Sequence, residues 1–128
     1  MNYVYDTNIF IYFLDDSPDV KEYFKERFFS SNKTFTSRIT RIELLSYPNL
    51  TEKDEVIIND LFKVIELVPL SEELEELAIA FRKRHRLKIP DAVIAATAFQ
   101  HSATLVTNNI KDFKNIPEIK IVIPKRKK

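Results

Sequence analysis

The sequence predicts an α/β domain in which helices cover both faces of a mostly parallel sheet of about five strands. Short apolar segments that are typical of buried strands alternate with helical patterns along the chain. The length of 128 residues and the hydrophobic content of 45% fit one domain with one core. No repeat or flexible linker divides the chain. We therefore expect a single domain over residues 1–124 and a basic tail at residues 125–128.

The strands are predicted where β-branched and aromatic residues cluster between turn signals. The first segment, residues 3–5, is short and apolar, as expected for a strand with both faces covered. The predicted strands cover residues 3–5, 34–37, 66–68, 104–107 and 119–123.

Helices are predicted between the strands from apolar residues at helical spacing and from cap residues. Ser17 and Ser71 precede such patterns as N-caps, and Pro90 occupies a first turn. Acidic residues lead the segment after Ser71 and basic residues end it, which complements the helix dipole. The predicted helices cover residues 7–14, 17–29, 40–47, 51–64, 71–86 and 90–101.

The composition excludes several classes of site. The chain has no cysteine, which removes disulfides, thiolate zinc sites and cysteine nucleophiles. It also has no glycine, which removes glycine-rich phosphate loops, so turns with positive φ are expected at Asn32, Asn49 and Asn108–Asn109. No apolar segment approaches the roughly 20 residues of a membrane helix and no secretory signal is visible. A cytoplasmic protein without a membrane partner is therefore expected.

Acidic residues follow the predicted strands at the edge where parallel α/β folds bind ligands. Asp6 follows the first strand, Glu43 lies on the helix after the second, Asp91 opens a later helix, and Asp112 follows the fourth strand. Each has an ordinary alternative explanation. Asp6 and Asp112 could be helix caps, Asp91 could complement a helix dipole, and Glu43 could lie on the surface of an amphipathic helix.

Taken together, these carboxylates favour a bound cation. Parallel topology brings strand ends to one edge, where several carboxylates repel one another unless a cation neutralises them. Oxygen ligands without cysteine or paired histidines favour Mg²⁺ or Mn²⁺ over zinc. Such an ion activates water and stabilises charge on phosphate oxygens, which suits phosphodiester hydrolysis.

Four segments of the chain resemble the PIN domain family, in particular its small VapC-like toxins from toxin–antitoxin pairs. These segments are "YDTNIFIYFL", "TSRITRIELLSY", "IPDAVIAATAFQHSATLVTNNIKDF" and the closing "IKIVIP". They occur in the order of the family, and the resemblance spans essentially the whole chain. The resemblance implies a three-layer α/β/α sandwich. It also implies an Mg²⁺- or Mn²⁺-dependent endoribonuclease.

The resemblance also implies the residues of the site. The first three acidic positions of the family match Asp6, Glu43 and Asp91. At the fourth, Asn109 stands where many relatives carry aspartate, while Asp112 lies about one helical turn further on. We therefore expect catalysis from Asp6, Glu43, Asp91 and Asp112, and metal binding from the same residues together with Asn109. A neutral amide is expected to hold a second cation less tightly than a carboxylate does.

Neighbouring residues are expected to support this site. Thr7, Asn8 and Thr107 could hydrogen-bond the Asp6 carboxylate or a metal-bound water, and helix capping is compatible with that role. Basic residues near the strand ends are candidates for phosphate contacts, although a charged helix end that complements its dipole explains part of them equally well. The predicted RNA-binding residues are Arg38, Arg41, Arg84, Arg86 and Lys88.

Two apolar stripes have either a core or an interface explanation. The first carries Tyr23, Phe24, Phe28 and Phe29, and core packing is the default interpretation. The alternative is a surface for a partner segment or a second copy, and the resemblance implies both a small antitoxin and a homodimer. The second stripe consists of Ile57, Ile58, Leu61, Phe62 and Ile65.

Two other functions remain open from the sequence. The first is a PIN-like RNA-binding module with a weakened or inactive metal site, and Asn109 is its main support. The second is a phosphate-accepting signalling domain with Asp6 as acceptor. It is disfavoured because the acidic pair Asp15–Asp16 stands too far along the first predicted helix to join Asp6.

Overall fold

The computed structural model describes residues 1–125 and confirms the predicted α/β class. One sheet of five strands has the order β3-β2-β1-β4-β5, and every neighbouring pair is parallel. The central position of β1 means that the residue after it lies between the ends of two other strands. The strands are β1 Asn2–Tyr5, β2 Lys33–Ser37, β3 Glu66–Val68, β4 Thr104–Val106 and β5 Lys120–Val122.

Helices connect the strands, and most of them begin at a capping side chain. Asp6, Ser37 and Ser71 each accept a hydrogen bond from a backbone N–H at the start of a helix. Thr51 forms a reciprocal capping box with Asp54. The helices are α1 Thr7–Leu14, α2 Glu26–Ser31, α3 Arg38–Leu45, α4 Glu52–Leu61, α5 Glu72–His85, α6 Ile89–Gln100 and α7 Ile110–Phe113.

The core lies on both faces of the sheet, as three layers require. Val4 contributes to one buried cluster and Tyr5 to the other, because successive residues of a strand point to opposite faces. The cluster with Val4 includes residues of α5 and α6, while the cluster with Tyr5 includes residues of α1 and α4. The α/β/α arrangement follows from this division.

The apolar stripes belong mainly to the core. Phe24, Ile58 and Ile65 are buried in the cluster with Tyr5, and Ile57 is half-buried. The core interpretation therefore holds for most of both stripes. The other members, which pack against that cluster, are Tyr23, Phe28, Phe29, Leu61 and Phe62.

The predicted helix over residues 17–29 is wrong, because the structure interrupts it. A 3-10 turn covers Lys21–Phe24, and the extended Lys25 separates it from α2. The Tyr5 hydroxyl donates to the Tyr23 carbonyl, which a continuous helix would use for its own backbone. Phe24 stacks on Phe13 at 4.2 Å between ring centroids. These long-range contacts outweigh the local helical pattern.

The predicted turns with positive φ are also wrong in position. Asn32 and Asn109 have φ values of −138° and −86°. Positive φ occurs instead at Asp16, Arg86 and Ser102, each directly at or after the end of a helix. Helix C-termini commonly end in a left-handed residue, and without glycine other residues take that position.

The basic tail falls almost entirely outside the described residues. Only Lys125 is described, and it is exposed. The domain boundary at residue 124 stays a prediction. Over residues 1–125, no helix is both long enough and apolar enough to cross a membrane.

Candidate metal and catalytic site

A cavity of about 380 Å³ opens at the carboxyl ends of the central strands, and we name it the carboxylate cavity. The structure brings Asp6, Glu43, Asp91 and Asn109 together on its walls, although they come from four separate parts of the chain. The remaining lining residues are Thr7, Asn8, Ile11, Ser46, Tyr47, Pro48, Pro90 and Ile94.

A larger cavity lies at the opposite edge of the sheet. This amino-end cavity has a volume of about 540 Å³ and is lined by Met1, Asn2 and Thr104, at the starts of strands, together with Glu118. None of the carboxylates named above borders it. Size alone therefore does not identify the site, whereas the gathered carboxylates do.

Asp6 is both a helix cap and a wall of the carboxylate cavity. One carboxylate oxygen accepts from the Thr7 N–H at 2.8 Å, and the other accepts from the Thr107 hydroxyl at 2.7 Å. The side chain is only 5% exposed. Burial raises the pKa of Asp6, and the nearby Glu43 and Asp112 raise it further, while the two hydrogen bonds oppose the increase. Among residues 1–125, Asp6 has no ion-pair partner.

Glu43 is exposed on α3, and a threonine ties it to Asp6. The Thr7 hydroxyl donates to Glu43 Oε1 at 2.7 Å, and the backbone N–H of Thr7 bonds Asp6. The Thr7 and Thr40 hydroxyl oxygens are 3.0 Å apart. Thr40 is a site residue that the sequence interpretation missed. Its only signal was its place three residues before Glu43, on the same face of a helix.

Asp91 lies in the first turn of α6 and is half-buried. Burial raises the pKa of its carboxyl to about 6, and the negative charges of Asp6, Asp112 and Glu43 contribute to the increase. Lys88 acts in the opposite direction. The carboxylates raise one another's pKa values by more than Lys88 lowers that of Asp91, so the site carries excess negative charge.

Asn109 and Asp112 form one hydrogen-bonded unit after β4. Asn109 caps α7, and its side-chain N–H donates to Asp112 Oδ2 at 2.9 Å. The Asn109 backbone N–H donates to Thr107 Oγ1 at 2.9 Å. Only Asn109 borders the cavity, whereas Asp112 acts on Asp6 and Asp91 through its charge. The predicted catalytic and metal-binding roles of Asp112 stay predictions, and in the structure its hydrogen bond to Asn109 connects it to the cavity.

The donor set fits a hydrated, hard divalent cation. In the part of the chain that the structure describes, no three His, Cys, Asp or Glu side chains are close enough to hold a metal ion between them. Mg²⁺ usually keeps several waters and uses only one or two carboxylates directly. The oxygen donors surround an open cavity that has room for such waters. The raised pKa values of Asp6 and Asp91 show negative charge that a cation would offset. Asp6, Glu43 and Asp91 are the residues that would hold such an ion, one or two of them directly and the rest through its waters.

The predicted basic residues are spread over both edges of the sheet. Lys88 acts electrostatically on Asp91, whereas Arg84 and His85 bind Glu118 beside the amino-end cavity. Contact between Arg84 and RNA stays a prediction, but the geometry gives Arg84 a different partner. Of the other candidates, Arg38 and Arg86 are exposed and Arg41 is half-buried.

The structure is a three-layer α/β/α sandwich with acidic residues gathered beyond the central strands. Comparison with known proteins shows which family has this fold. The model of the PIN domain family matches residues 3–119. The chain belongs to the PIN domain family. The sequence resemblance to this family is confirmed.

Individual relatives agree with this assignment. The chain is 29% identical over 133 residues to ribonuclease VapC2 of Rickettsia felis, covering 93% of this chain and 95% of that protein. It resembles VapBC2 from Rickettsia felis bound to a promoter DNA fragment, with a TM-score of 0.81 and 28% identity over 95% of this chain and 98% of the other. A toxin–antitoxin complex from Klebsiella pneumoniae has a TM-score of 0.77 and 28% identity, covering 98% and 99% of the two chains.

Proposed function

We propose that the chain is a metal-dependent endoribonuclease that hydrolyses RNA phosphodiester bonds in the cytoplasm as the toxin of a type II toxin–antitoxin pair. The observation that carries the proposal is the carboxylate cavity, where Asp6, Glu43 and Asp91 meet and Asp6 has no ion-pair partner among residues 1–125. Membership of the PIN family and similarity to a VapC ribonuclease support it.

The side chains have distinct tasks in this proposal. These residues would hold Mg²⁺ or Mn²⁺, which would activate a water and offset negative charge on the phosphate oxygens. Asp6 holds a fixed orientation because Thr7 and Thr107 bond its two oxygens. Asp91 reaches the same cavity from the first turn of α6, where it would hold the ion directly or orient one of its waters. Asn109 completes the wall nearest β4, and Asp112 adds negative charge and a hydrogen bond to Asn109.

RNA has to approach an acidic cavity, so basic residues beside it matter. Lys88 is our first candidate because its charge acts on Asp91. Arg38 and Arg41 on α3 and Arg86 at the end of α5 are further candidates for phosphate contacts. Arg84 is the least suited, since it already pairs with Glu118.

An antitoxin has a suitable place beside the site. A cavity of about 300 Å³ shares Ile11 and Tyr47 with the carboxylate cavity, and it combines apolar residues such as Leu14 with acidic ones such as Asp15. A partner segment with apolar and basic side chains would fit both cavities and cover the carboxylates. A solved toxin–antitoxin complex of a similar protein supports such a partner. The homodimer is proposed from the family resemblance alone.

The function is tested with purified protein and a mixture of structured and single-stranded RNAs. We expect cleavage in Mg²⁺ or Mn²⁺, loss of cleavage in EDTA, and recovery when the metal is restored. Asp6→Asn should abolish cleavage without unfolding the protein. Undiminished cleavage in EDTA or by Asp6→Asn would contradict the proposal. Thr97→Val serves as a control, because Thr97 is buried in α6 and bonds only its own helix.

The runner-up function is an RNA-binding module with an inactive site. Asn109 at the fourth acidic position favours it, as does the lack of three closely converging metal-ligand side chains among residues 1–125. RNA binding without cleavage across a wide range of Mg²⁺ and Mn²⁺ concentrations would establish this alternative.

A further inference from the structure

Two chains of hydrogen bonds lead to the carboxylates through buried threonines. In the second chain, the donor of one hydrogen bond between two hydroxyls has to be established. In the first, the Asn109 N–H donates to Thr107 Oγ1, and the Thr107 hydroxyl donates to Asp6. In the second, the Thr7 hydroxyl donates to Glu43 Oε1 at 2.7 Å and lies 3.0 Å from the Thr40 hydroxyl.

The direction of the second chain follows from counting protons. A threonine hydroxyl has one proton, and an ionised carboxylate can only accept. The Thr7 proton is therefore used by Glu43, so the bond between the two threonines needs the proton of Thr40. Thr40 donates to Thr7, and Thr7 donates to Glu43.

Thr40 lies in the first turn of α3, where the carbonyl four residues earlier belongs to Thr36 of β2 and not to the helix. Its hydroxyl is fully buried, and its hydrogen bond in the described chain goes to Thr7. Thr97 is equally buried but lies further inside its helix, and it bonds the Val93 carbonyl of that helix at 2.7 Å. The hydroxyl of Thr40 is thus directed at the site, and Thr97 provides a buried threonine hydroxyl that is not.

We propose that Thr40 is a positioning residue that fixes the Glu43 carboxylate for metal binding through Thr7. The inference rests on the proposed function, because it concerns the same cation. Glu43 is exposed and has no ion-pair partner among residues 1–125, so the Thr7 bond is its described anchor. Without the proton of Thr40, the Thr7 hydroxyl is free to rotate away, and Glu43 loses its preferred orientation.

The test measures Mn²⁺ affinity by isothermal titration calorimetry and kcat/KM on RNA with the full chain. Thr40→Val keeps the shape and removes the hydroxyl, and we expect Mn²⁺ affinity to fall about 5- to 10-fold. Thr40→Ser restores the donor and should stay within about 2-fold of wild type. Thr97→Val is the matched control and should also stay within about 2-fold. Equal Mn²⁺ affinity in Thr40→Val and Thr97→Val would overturn the inference.

A double-mutant cycle with Glu43→Gln separates positioning from general stability. If Thr40 acts through Glu43, Thr40→Val should weaken Mn²⁺ binding no further in the Glu43→Gln background. An undiminished effect in that background would overturn the inference.

Two outcomes need a separate interpretation: a Thr40→Val variant that does not fold, and a wild-type chain that shows neither Mn²⁺ binding nor cleavage. If Thr40→Val fails to fold, Thr40→Ser and Thr40→Ala replace it, because they differ only in the hydroxyl. The inference then predicts weaker Mn²⁺ binding for Thr40→Ala and is overturned if the two bind equally. If the wild-type chain neither binds Mn²⁺ nor cleaves RNA, the proposed function fails first, and the role of Thr40 falls with it.

Discussion

Carboxylates at the two edges of the sheet have opposite electrostatic environments and opposite pKa shifts. Beside the amino-end cavity, Glu118 binds Arg84 and His85. Burial raises the pKa of Glu118, but the hydrogen bonds from His85 and Arg84, a backbone hydrogen bond and the His85 charge together lower it below its ordinary value. In the carboxylate cavity, burial and neighbouring carboxylates raise the pKa values of Asp6 and Asp91. The protein neutralises acid at one edge and accumulates it at the other. Balanced charge supports structure, whereas unbalanced charge indicates a site for a cation.

The largest difference between the edges is expected in activity. Asp91→Asn should lower ribonuclease kcat/KM by about 100-fold or more, because it removes a carboxylate from the proposed catalytic site. Glu118→Gln should leave kcat/KM within about 2-fold of wild type, because Glu118 lies at the opposite edge. Initial rates at saturating Mg²⁺ check both values. Equal losses in the two variants would contradict the division of the sheet into two kinds of edge.

The pH dependence of metal binding should differ next most strongly. The Asp91 pKa is raised to about 6 in the metal-free protein, so a cation competes with a proton below that pH. Mn²⁺ affinity should be constant above about pH 7 and fall about tenfold per pH unit below pH 6. Calorimetric titrations between pH 5 and pH 8 measure this, and Asp91→Asn should flatten the profile. A wild-type profile that is flat over this range would contradict the role of Asp91.

RNA binding provides a smaller contrast between two basic residues. Lys88→Ala should weaken RNA affinity about 2- to 5-fold and reduce the slope of log affinity against log salt by about one unit. Arg84→Ala should change neither, because Arg84 is engaged by Glu118. Fluorescence anisotropy with a labelled RNA measures both, in the Asp6→Asn background that the proposed function predicts to be inactive. A larger effect of Arg84→Ala than of Lys88→Ala would place the RNA at the other edge.

The smallest contrast concerns stability and has opposite signs at the two edges. Because the folded pKa of Asp91 is about 6, above its ordinary value of 3.8, the ionised group destabilises the fold above about pH 6. Asp91→Asn should therefore raise the free energy of unfolding at pH 7 by about 1 kcal/mol, after allowance for the half-exposed position. The stability gain of Asp91→Asn over wild type should shrink as the pH falls toward 4, where Asp91 is protonated in the folded protein.

Glu118 should show the reverse behaviour. Its pKa is lowered, so its stabilising contribution is complete above its ordinary value of 4.5 and is lost as the pH falls through the folded value. Glu118→Gln should lower the Tm at pH 7 by a few degrees at most, because the ion pair is partly exposed. Thermal unfolding without metal, at pH 4 and pH 7, checks both variants. Shifts of the same sign at pH 7 would contradict the comparison.

The sequence predicted the sheet and the gathering of carboxylates because both depend on local signals. Asp6 follows an apolar strand, and Asp91 opens a helix after Pro90, so parallel topology alone brings them to one edge. The helix over residues 17–29 was mispredicted for the opposite reason. Its interruption depends on Tyr5, which is distant in sequence and takes the Tyr23 carbonyl.

Side-chain partners were the least predictable part of the site. Thr40 carries no sign of its role beyond its spacing from Glu43, because its partner Thr7 lies on another helix. Arg84 belongs to a basic cluster that predicts phosphate contacts, and in the structure it pairs with Glu118, which comes from the loop before β5. Such pairs form only when the tertiary fold is complete, so neither composition nor periodicity indicates them.

The most direct test of the shared cation is anomalous diffraction from crystals of the protein soaked in Mn²⁺. Our account predicts an anomalous peak inside the carboxylate cavity, at ligand distance from Asp6 and linked directly or through water to Glu43 and Asp91. Crystals of Asp6→Asn should lose that peak. An empty carboxylate cavity at saturating Mn²⁺, or a peak only beside Glu118, would contradict the account.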